Sequence, residues 1–300
     1  MKQALIDIGS NSMRLTVYEL GNDDFKVLFK QKYMAGLAGY VEDGRLTGPG
    51  ILKACSGLSE FRNTLNSLGI QNTKVFATAS LRNISNTEET VHFIEGATGY
   101  PIEVISGREE AALGYYGAML DHDISDGAYI DIGGASTEVV TYSNGNLEHS
   151  ASFPVGSLYL FKNCVKKILP GLGSFDRMEK ELHLRIDEEG NFPFTHKEKI
   201  LCTGGTSRAL MKTARNYFNL SSDCNSMSRE QLEEICAFFV KGRTPVRDLI
   251  LKTEPERIHT LIPGTMILQH VVERLDADEI VIGKYGVREG YLCQRLMHQK

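Results

Sequence analysis

Two short stretches hold the residues whose types and spacing could do chemistry. In Asp131-Ile132-Gly133-Gly134-Ala135-Ser136-Thr137-Glu138 an acid directly precedes a small-residue turn, two hydroxyls and a second acid. That order suits phosphate. Gly133 and Gly134 permit backbone angles and close approaches that side chains forbid, and their N–H groups with the Ser136 and Thr137 hydroxyls can cradle phosphate oxygens. Asp131 can hold a hard cation such as Mg²⁺, directly or through water. A shift of 124 residues lays Ala4-Leu5-Ile6-Asp7-Ile8-Gly9-Ser10-Asn11-Ser12 onto the stretch from Ala128 to Ser136. Asp7, Gly9 and Ser12 meet Asp131, Gly133 and Ser136, and Tyr18 meets Tyr142. Chance likeness of two apolar strands would not keep acid, glycine and serine in register. So long a period excludes a solenoid and points to two similar domains, 1–123 and 124–300, each opening strand–turn–strand.

Three further stretches add candidates. Ile200-Leu201-Cys202-Thr203-Gly204-Gly205-Thr206 is another strand running into a diglycine turn and a helix, whose first amides can meet an anion. Arg82 follows the strand Lys74-Val75-Phe76-Ala77-Thr78, at the strand end where open α/β sheets bind ligands. Ser106-Gly107-Arg108-Glu109-Glu110 begins a helix in which Ser106 and Glu109 form a capping box. Glu110 is not needed for the cap and is a candidate general base. His122-Asp123 has no companion at metal-ligand spacing and reads as a solvated loop.

The elements that position these residues follow from periodicity and turn chemistry. Strands are expected through Asp7, over 15–20 and 25–31, on both sides of the central turn, near 152–156, through Ile200 and over 279–283. Asn22 and Asp23 mark a turn, and Asn144-Gly145 a hairpin. Helical spacing runs over 51–65, 88–96, 158–168, 228–240, 245–253 and 262–275, with a terminal helix from Tyr291 that packs back on the first domain. Residues 36–50 read as a mobile glycine-rich loop. The charged span 162–199 reads as a solvated helical face with lysines available to a substrate channel.

Composition narrows the class. A 300-residue chain with 42% hydrophobic and 24% charged residues is an ordinary globular protein with room for two domains. The net charge of −5 argues against general nucleic-acid binding, so a polyanionic substrate needs a local basic lining. Met1-Lys2-Gln3 runs straight into a strand without a signal peptide, and no apolar run suits a membrane span. The expected location is therefore cytoplasmic. Six cysteines without paired spacing are expected to be reduced.

Together, the Asp7–Ser12 and Asp131–Glu138 motifs, Ala77-Thr78-Ala79-Ser80-Leu81-Arg82, Ser106-Gly107-Arg108-Glu109-Glu110-Ala111, Gly204-Gly205-Thr206, Pro263-Gly264 and Tyr285-Gly286-Val287-Arg288-Glu289-Gly290 resemble the exopolyphosphatase / guanosine pentaphosphate phosphohydrolase family, in a short two-domain form. The resemblance implies an α/β fold of two ribonuclease-H-like domains, as in actin, Hsp70 and sugar kinases, flanking a cleft. It implies Mg²⁺ and release of terminal phosphate. Glu110 takes the place of the catalytic glutamate, Asp7 and Asp131 of the metal-site acids, Glu138 of a supporting acid, and Arg82 of a phosphate-binding arginine. The expected phosphate cradle comprises Gly9, Ser10, Asn11, Ser12, Gly133, Gly134, Ala135, Ser136, Thr137, Gly204, Gly205 and Thr206. Ala135 departs from the family's third glycine, and its methyl group could tighten the cradle. The expected substrate is inorganic polyphosphate, with short chains preferred. A phosphorylated guanosine nucleotide is the alternative, and a non-catalytic nucleotide sensor a third reading. Homodimerisation stays open.

Overall fold

The computed structural model describes residues 1–22 and 24–297, so Asp23 of the expected turn lies outside the described residues. The chain divides into two compact units: Met1–Glu109 together with the segment from Arg295, and Glu110–Gln294.

The first unit is a five-stranded sheet with helices. Strands β1 (Lys2–Ile8), β2 (Met13–Leu20) and β3 (Phe25–Tyr33) form an antiparallel meander. A small hairpin, β4 (Val41–Glu42) with β5 (Arg45–Leu46), follows. Then come helix α1 (Gly48–Ser67), β6 (Thr73–Ala77), the short α2 (Ala79–Arg82), α3 (Thr87–Thr98) and β7 (Ile102–Val104). The order across the sheet is β3-β2-β1-β6-β7, with β6 and β7 parallel to β1. β1 is nearly continuous in buried residues because it is paired on both sides. The edge strand β3 alternates and carries Lys26, Lys30 and Lys32 on its length, which discourages further pairing.

Residues 36–50 are not a loop. Leu37 and Leu46 are buried anchors, and Asp43 and Gly44, at φ 47° and 74°, make the tight turn between β4 and β5. Asp-Gly is a hairpin signal in its own right. Thr47 and Pro49 then begin α1.

The second unit holds α4 (Gly107–Ala118) from Glu110 onward, then β8 (Gly127–Ile132), β9 (Thr137–Ser143), β10 (Asn146–Phe153), α5 (Ser157–Cys164), α6 (Leu172–Leu182) and β11 (Lys199–Thr203). It continues with α7 (Gly204–Phe218), β12 (Ser226–Ser228), α8 (Arg229–Lys241), α9 (Arg243–Thr253), α10 (Leu261–Leu275), β13 (Glu279–Ile282) and α11 (Val287–Tyr291). The sheet order is β10-β9-β8-β11-β13-β12, which repeats the first unit's meander and parallel strands and adds the antiparallel edge β12. This is the expected α/β class with two sheet-bearing units. The hairpin at Asn144 and Gly145 forms with both at positive φ. The region expected as a strand over 152–156 belongs instead to β10, which ends at Phe153, because Gly156 already caps α5.

The division at Glu109/Glu110 falls earlier than the 123/124 boundary inferred from the repeat. Ala111, Tyr115 and Ala118 of α4 pack on Tyr129, Val140, Tyr142 and Leu201 of the second sheet, which claims the helix. The segment from Arg295 joins the first unit, where Arg295 pairs with Glu103 and, at 2.8 Å, with Glu109. The charged span 162–199 mostly pairs within the second unit. Arg185 bridges Glu181 and Glu189, and buried Lys197 meets Asp126 and Glu148 at the start of the strands, the end opposite Asp131. No helix among the described residues is long and apolar enough to cross a membrane.

Glycines let α4 and the chain around α11 touch backbone to backbone. A Cβ on Gly290 would sit 1.8 Å from the Leu113 carbonyl oxygen, and one on Gly117 2.0 Å from that of Gly286. A Cβ on Gly114 would likewise strike the Tyr129 hydroxyl at 2.2 Å. These contacts fix the helix that carries Glu110. Gly290→Ala must push the backbones apart, at a cost of about 1–3 kcal/mol as in other overpacked cores. A denaturant midpoint equal to wild type would contradict this packing.

Candidate active site

Three carboxylates converge in the second unit. Asp131 is the penultimate residue of β8, half-buried at the strand end. Glu138 lies directly across from it on β9 and is only 2% exposed. Glu110, in the first turn of α4, is 7% exposed. Its neighbour Glu109 is exposed and committed to the cap: its carboxylate accepts from the Ser106 N–H at 2.8 Å and its own N–H donates to Ser106 Oγ at 3.2 Å. The expected Ser106–Glu109 capping box is thus present, and the adjacent glutamates have opposite environments.

Burial pushes the Glu138 carboxyl well above its ordinary range, and the charges of Glu110 and Asp131 raise it further. Hydrogen bonds from Ser136 and Ser152, the latter at 2.8 Å, partly offset this. Tyr129 is fully buried beside the acids and shares a 2.9 Å hydrogen bond with Thr203. Burial, then the Asp131 charge, raises its phenol strongly, so it remains a neutral hydrogen-bonding group.

The turn after Asp131 is tied down on two sides. Gly133 N–H donates to Ser136 O at 2.9 Å, and a Cβ on Gly133 would lie 3.1 Å from that same oxygen. The carbonyl of Gly133 accepts from Ser157 N, and that of Gly134 from Leu158 N and Tyr159 N at the start of α5. Close approach, not positive φ, is what favours glycine at 133. Ala135 is not at positive φ either, so its methyl group brings no backbone strain. Gly204 is more demanding: its φ is +82°, and a Cβ there would lie 2.0 Å from Asp131 Oδ1. The third turn is therefore pressed against the acid itself.

Some expected phosphate ligands are corrected. The N–H of Gly133 is consumed inside its own turn. The hydroxyl of Thr137 is buried and donates to Val155 O at 2.6 Å, and that of Thr206 donates to Ile132 O at 3.0 Å. A threonine has one O–H to give, so these two are latches of the fold. Gly134, Ala135, Ser136 and Gly205 remain around the turns, with Ser136 buried and directed to Glu138.

The first unit holds the matching turn. Asp7 is half-buried at the end of β1, and a Cβ on Gly9 would lie 2.9 Å from Ser12 O, as on Gly133 with Ser136 O. Ser10 O and Asn11 O accept from Ala38 N and Gly36 N, the role α5 plays in the second unit. Arg82 is half-buried and donates to Ile105 O at 3.2 Å. The across-strand partner of Asp7 is Arg14, where Asp131 faces Glu138. The second unit is thus the acidic one.

Three arginines to which the sequence assigns no role also belong to the second unit. Arg208, in the first turns of α7, is solvent-accessible, yet burial lowers its guanidinium pKa, with Arg288 and Arg257 lowering it further and Asp131 and Glu289 opposing. These residues come from α7, the turn after α9 and α11, so no local spacing announces them. Among the described residues no three His, Cys, Asp or Glu side chains form a ready metal-ligand cluster. Mg²⁺ needs no such cluster, since it binds through one or two carboxylates and completes its shell with water and phosphate.

Comparison with known proteins agrees with this architecture. The model of the Ppx/GppA phosphatase family matches residues 16–299. The chain belongs to that family. A putative exopolyphosphatase of Haemophilus influenzae is 24% identical over 96% of this chain and 90% of its own length. A guanosine-5'-triphosphate,3'-diphosphate pyrophosphatase of Vibrio campbellii is 26% identical over 97% of this chain, which spans 58% of that relative's length. Among solved structures, an exopolyphosphatase of Cytophaga hutchinsonii superposes with a TM-score of 0.86 at 20% identity, covering 100% of this chain and 99% of that one. The Aquifex aeolicus family member superposes at 0.79 and 22%, over 100% and 99%. These two likenesses concern the fold. Family membership and relatives named for phosphate-releasing hydrolysis make this chain a phosphatase-family hydrolase.

Because the folded-state pKa of Glu138 is raised, the folded protein binds more protons than the unfolded chain from about pH 4.5 upward. Its contribution to stability therefore falls as pH rises through that window. Glu138→Gln removes the charge and keeps an acceptor for Ser152. In chelator-treated protein the variant should melt higher than wild type at pH 8, with the gap closing toward pH 4.5. A gap independent of pH would refute the crowding of the three acids.

Proposed function

We propose that the protein is an exopolyphosphatase that releases terminal orthophosphate from inorganic polyphosphate by attack of water. The observation that carries this reading is buried Glu110 beside Asp131 and Glu138, while its neighbour Glu109 makes the helix cap. Phosphoryl transfer to water is mainly positioning and charge neutralisation. Glu110 orients the water and accepts its proton, and the turn around Gly134 holds the terminal phosphoryl group; Arg82 keeps the phosphate-binding role that the family resemblance implies. Asp131 is the acid suited to Mg²⁺, with Asp7 in the role that the family resemblance implies. When bound, the cation neutralises phosphate oxygens and relieves the mutual repulsion of the carboxylates. The net charge of −5 disfavours a long cationic path for a polyanion, which favours short chains.

The second reading is removal of the 5′-terminal phosphate from a guanosine polyphosphate, which the Vibrio campbellii relative's name supports. A nucleotide sensor is disfavoured, because binding alone needs no buried base. A panel of tripolyphosphate, long-chain polyphosphate, guanosine pentaphosphate and ATP distinguishes them by phosphate release. Faster release from the guanosine nucleotide would replace the first reading with the second.

Glu110→Gln should retain the fold and lower turnover by about 10²-fold or more, the usual worth of a positioned base. Near wild-type turnover would remove Glu110 from the mechanism. Asp131→Asn offers a hard cation a weaker, neutral ligand. Its activity should require more Mg²⁺ for half-saturation, and a superimposable Mg²⁺ titration would withdraw the assignment.

A further inference from the structure

The internal repeat extends beyond the two strand–turn–strand motifs. β6 with α2, and β11 with α7, are the same device shifted by 126 residues: Thr73–Ala77 falls on Lys199–Thr203. Each strand lies parallel to its unit's first strand, and each then turns into a helix. The ladder registers differ by one residue, with Asp7 beside Phe76 but Asp131 beside Thr203. The latch restores the correspondence. Ser80 Oγ donates to Ile8 O in the first unit, and Thr206 Oγ1 donates to Ile132 O in the second, so equivalent hydroxyls grip equivalent carbonyls one residue beyond each aspartate. Two residues after each latch stands an arginine: Arg82 and Arg208.

We propose that Arg208 is a substrate-binding residue, the second unit's counterpart of Arg82, and that it takes a non-terminal phosphate of a phosphoanhydride chain whose end lies at Asp131. This deepens the proposed function and rests on it. The position suits the task. Gly204, a turn earlier on the same helix, is packed against Asp131, which keeps Arg208 within one helical turn of the acid. The charges of Arg257 and Arg288 also bear on Arg208, opposed by the carboxylates of Asp131 and Glu289. Guanidinium groups suit this ligand, since their planar fork can donate two hydrogen bonds to one phosphate. Arg208 is also solvent-accessible, so it can reach a ligand without displacing core side chains.

The test compares wild type with Arg208→Gln and Arg208→Lys, using tripolyphosphate as the probe. Binding is measured by calorimetry in the absence of divalent cation, where no turnover is expected, and KM and kcat are measured separately with Mg²⁺. Arg208→Gln should weaken tripolyphosphate binding about tenfold or more and raise KM more than it lowers kcat. Arg208→Lys, with the charge but not the fork, should fall between. Melting temperatures report folding of both variants. Equal affinity of wild type and folded Arg208→Gln for tripolyphosphate overturns the inference, while phosphate release by wild type leaves the proposed activity standing. A fall in kcat with no change in affinity or KM also overturns it, since that is the mark of a merely structural role. Should Arg208→Gln not fold, an unchanged affinity in Arg208→Lys overturns it equally. Wild type that neither binds nor hydrolyses tripolyphosphate defeats the inference and the polyphosphate reading together.

Discussion

Like charges held close are the constraint on which the second unit depends. Asp131 and Glu138 stand opposite each other on neighbouring strands, and Glu110 is brought to them by a helix from outside the sheet. Like charges directly across a strand pair are ordinarily destabilising. The first unit shows the ordinary solution at the same position, where Asp7 faces Arg14. The second unit has given up that opposite-charge pairing and raised the Glu138 carboxyl instead. An arrangement that costs stability and concentrates acid at the end of a sheet fits a site built for a cation and a phosphate rather than for the fold.

Holding the acids there falls to backbone contacts. Gly204 rests against Asp131, Gly133 under Ser136 O, and Gly117 and Gly290 against each other's helices. Each contact removes a side chain so that a strand end, turn or helix can come closer than a Cβ would allow. Threonine and serine hydroxyls complete the work by fastening one turn to the next. Residues that look like ligands in a motif can therefore be fasteners. Thr137 and Thr206 are of this kind, and their inward hydroxyls follow from the need to satisfy buried carbonyls.

Motif order exposed much of the candidate site. Asp131, Glu138 and Glu110 are legible because an acid before a glycine turn, its partner across the next turn and a second glutamate behind a capping box are all local patterns. The Asp43-Gly44 hairpin is equally local, but the glycine richness of 36–50 masks it, and the burial of its anchors Leu37 and Leu46 exists only in the folded chain. Arg208, Arg257 and Arg288 are a different matter. They come from separate elements and their charges meet at Arg208, and an isolated arginine in a helix has the same sequence appearance whether it faces water or a site.

By itself the sequence determined the two-fold repeat, the α/β class, the phosphate-type turns and the family resemblance, because strand periodicity, glycine turns and capping are set by neighbours along the chain. Only the tertiary structure decided that α4 belongs to the second unit from Glu110, that Glu138 is pressed by two other carboxylates, and which hydroxyls turn inward. Those outcomes depend on which surfaces pack against one another and on burial, and burial is a property of the folded chain that no short stretch of it contains.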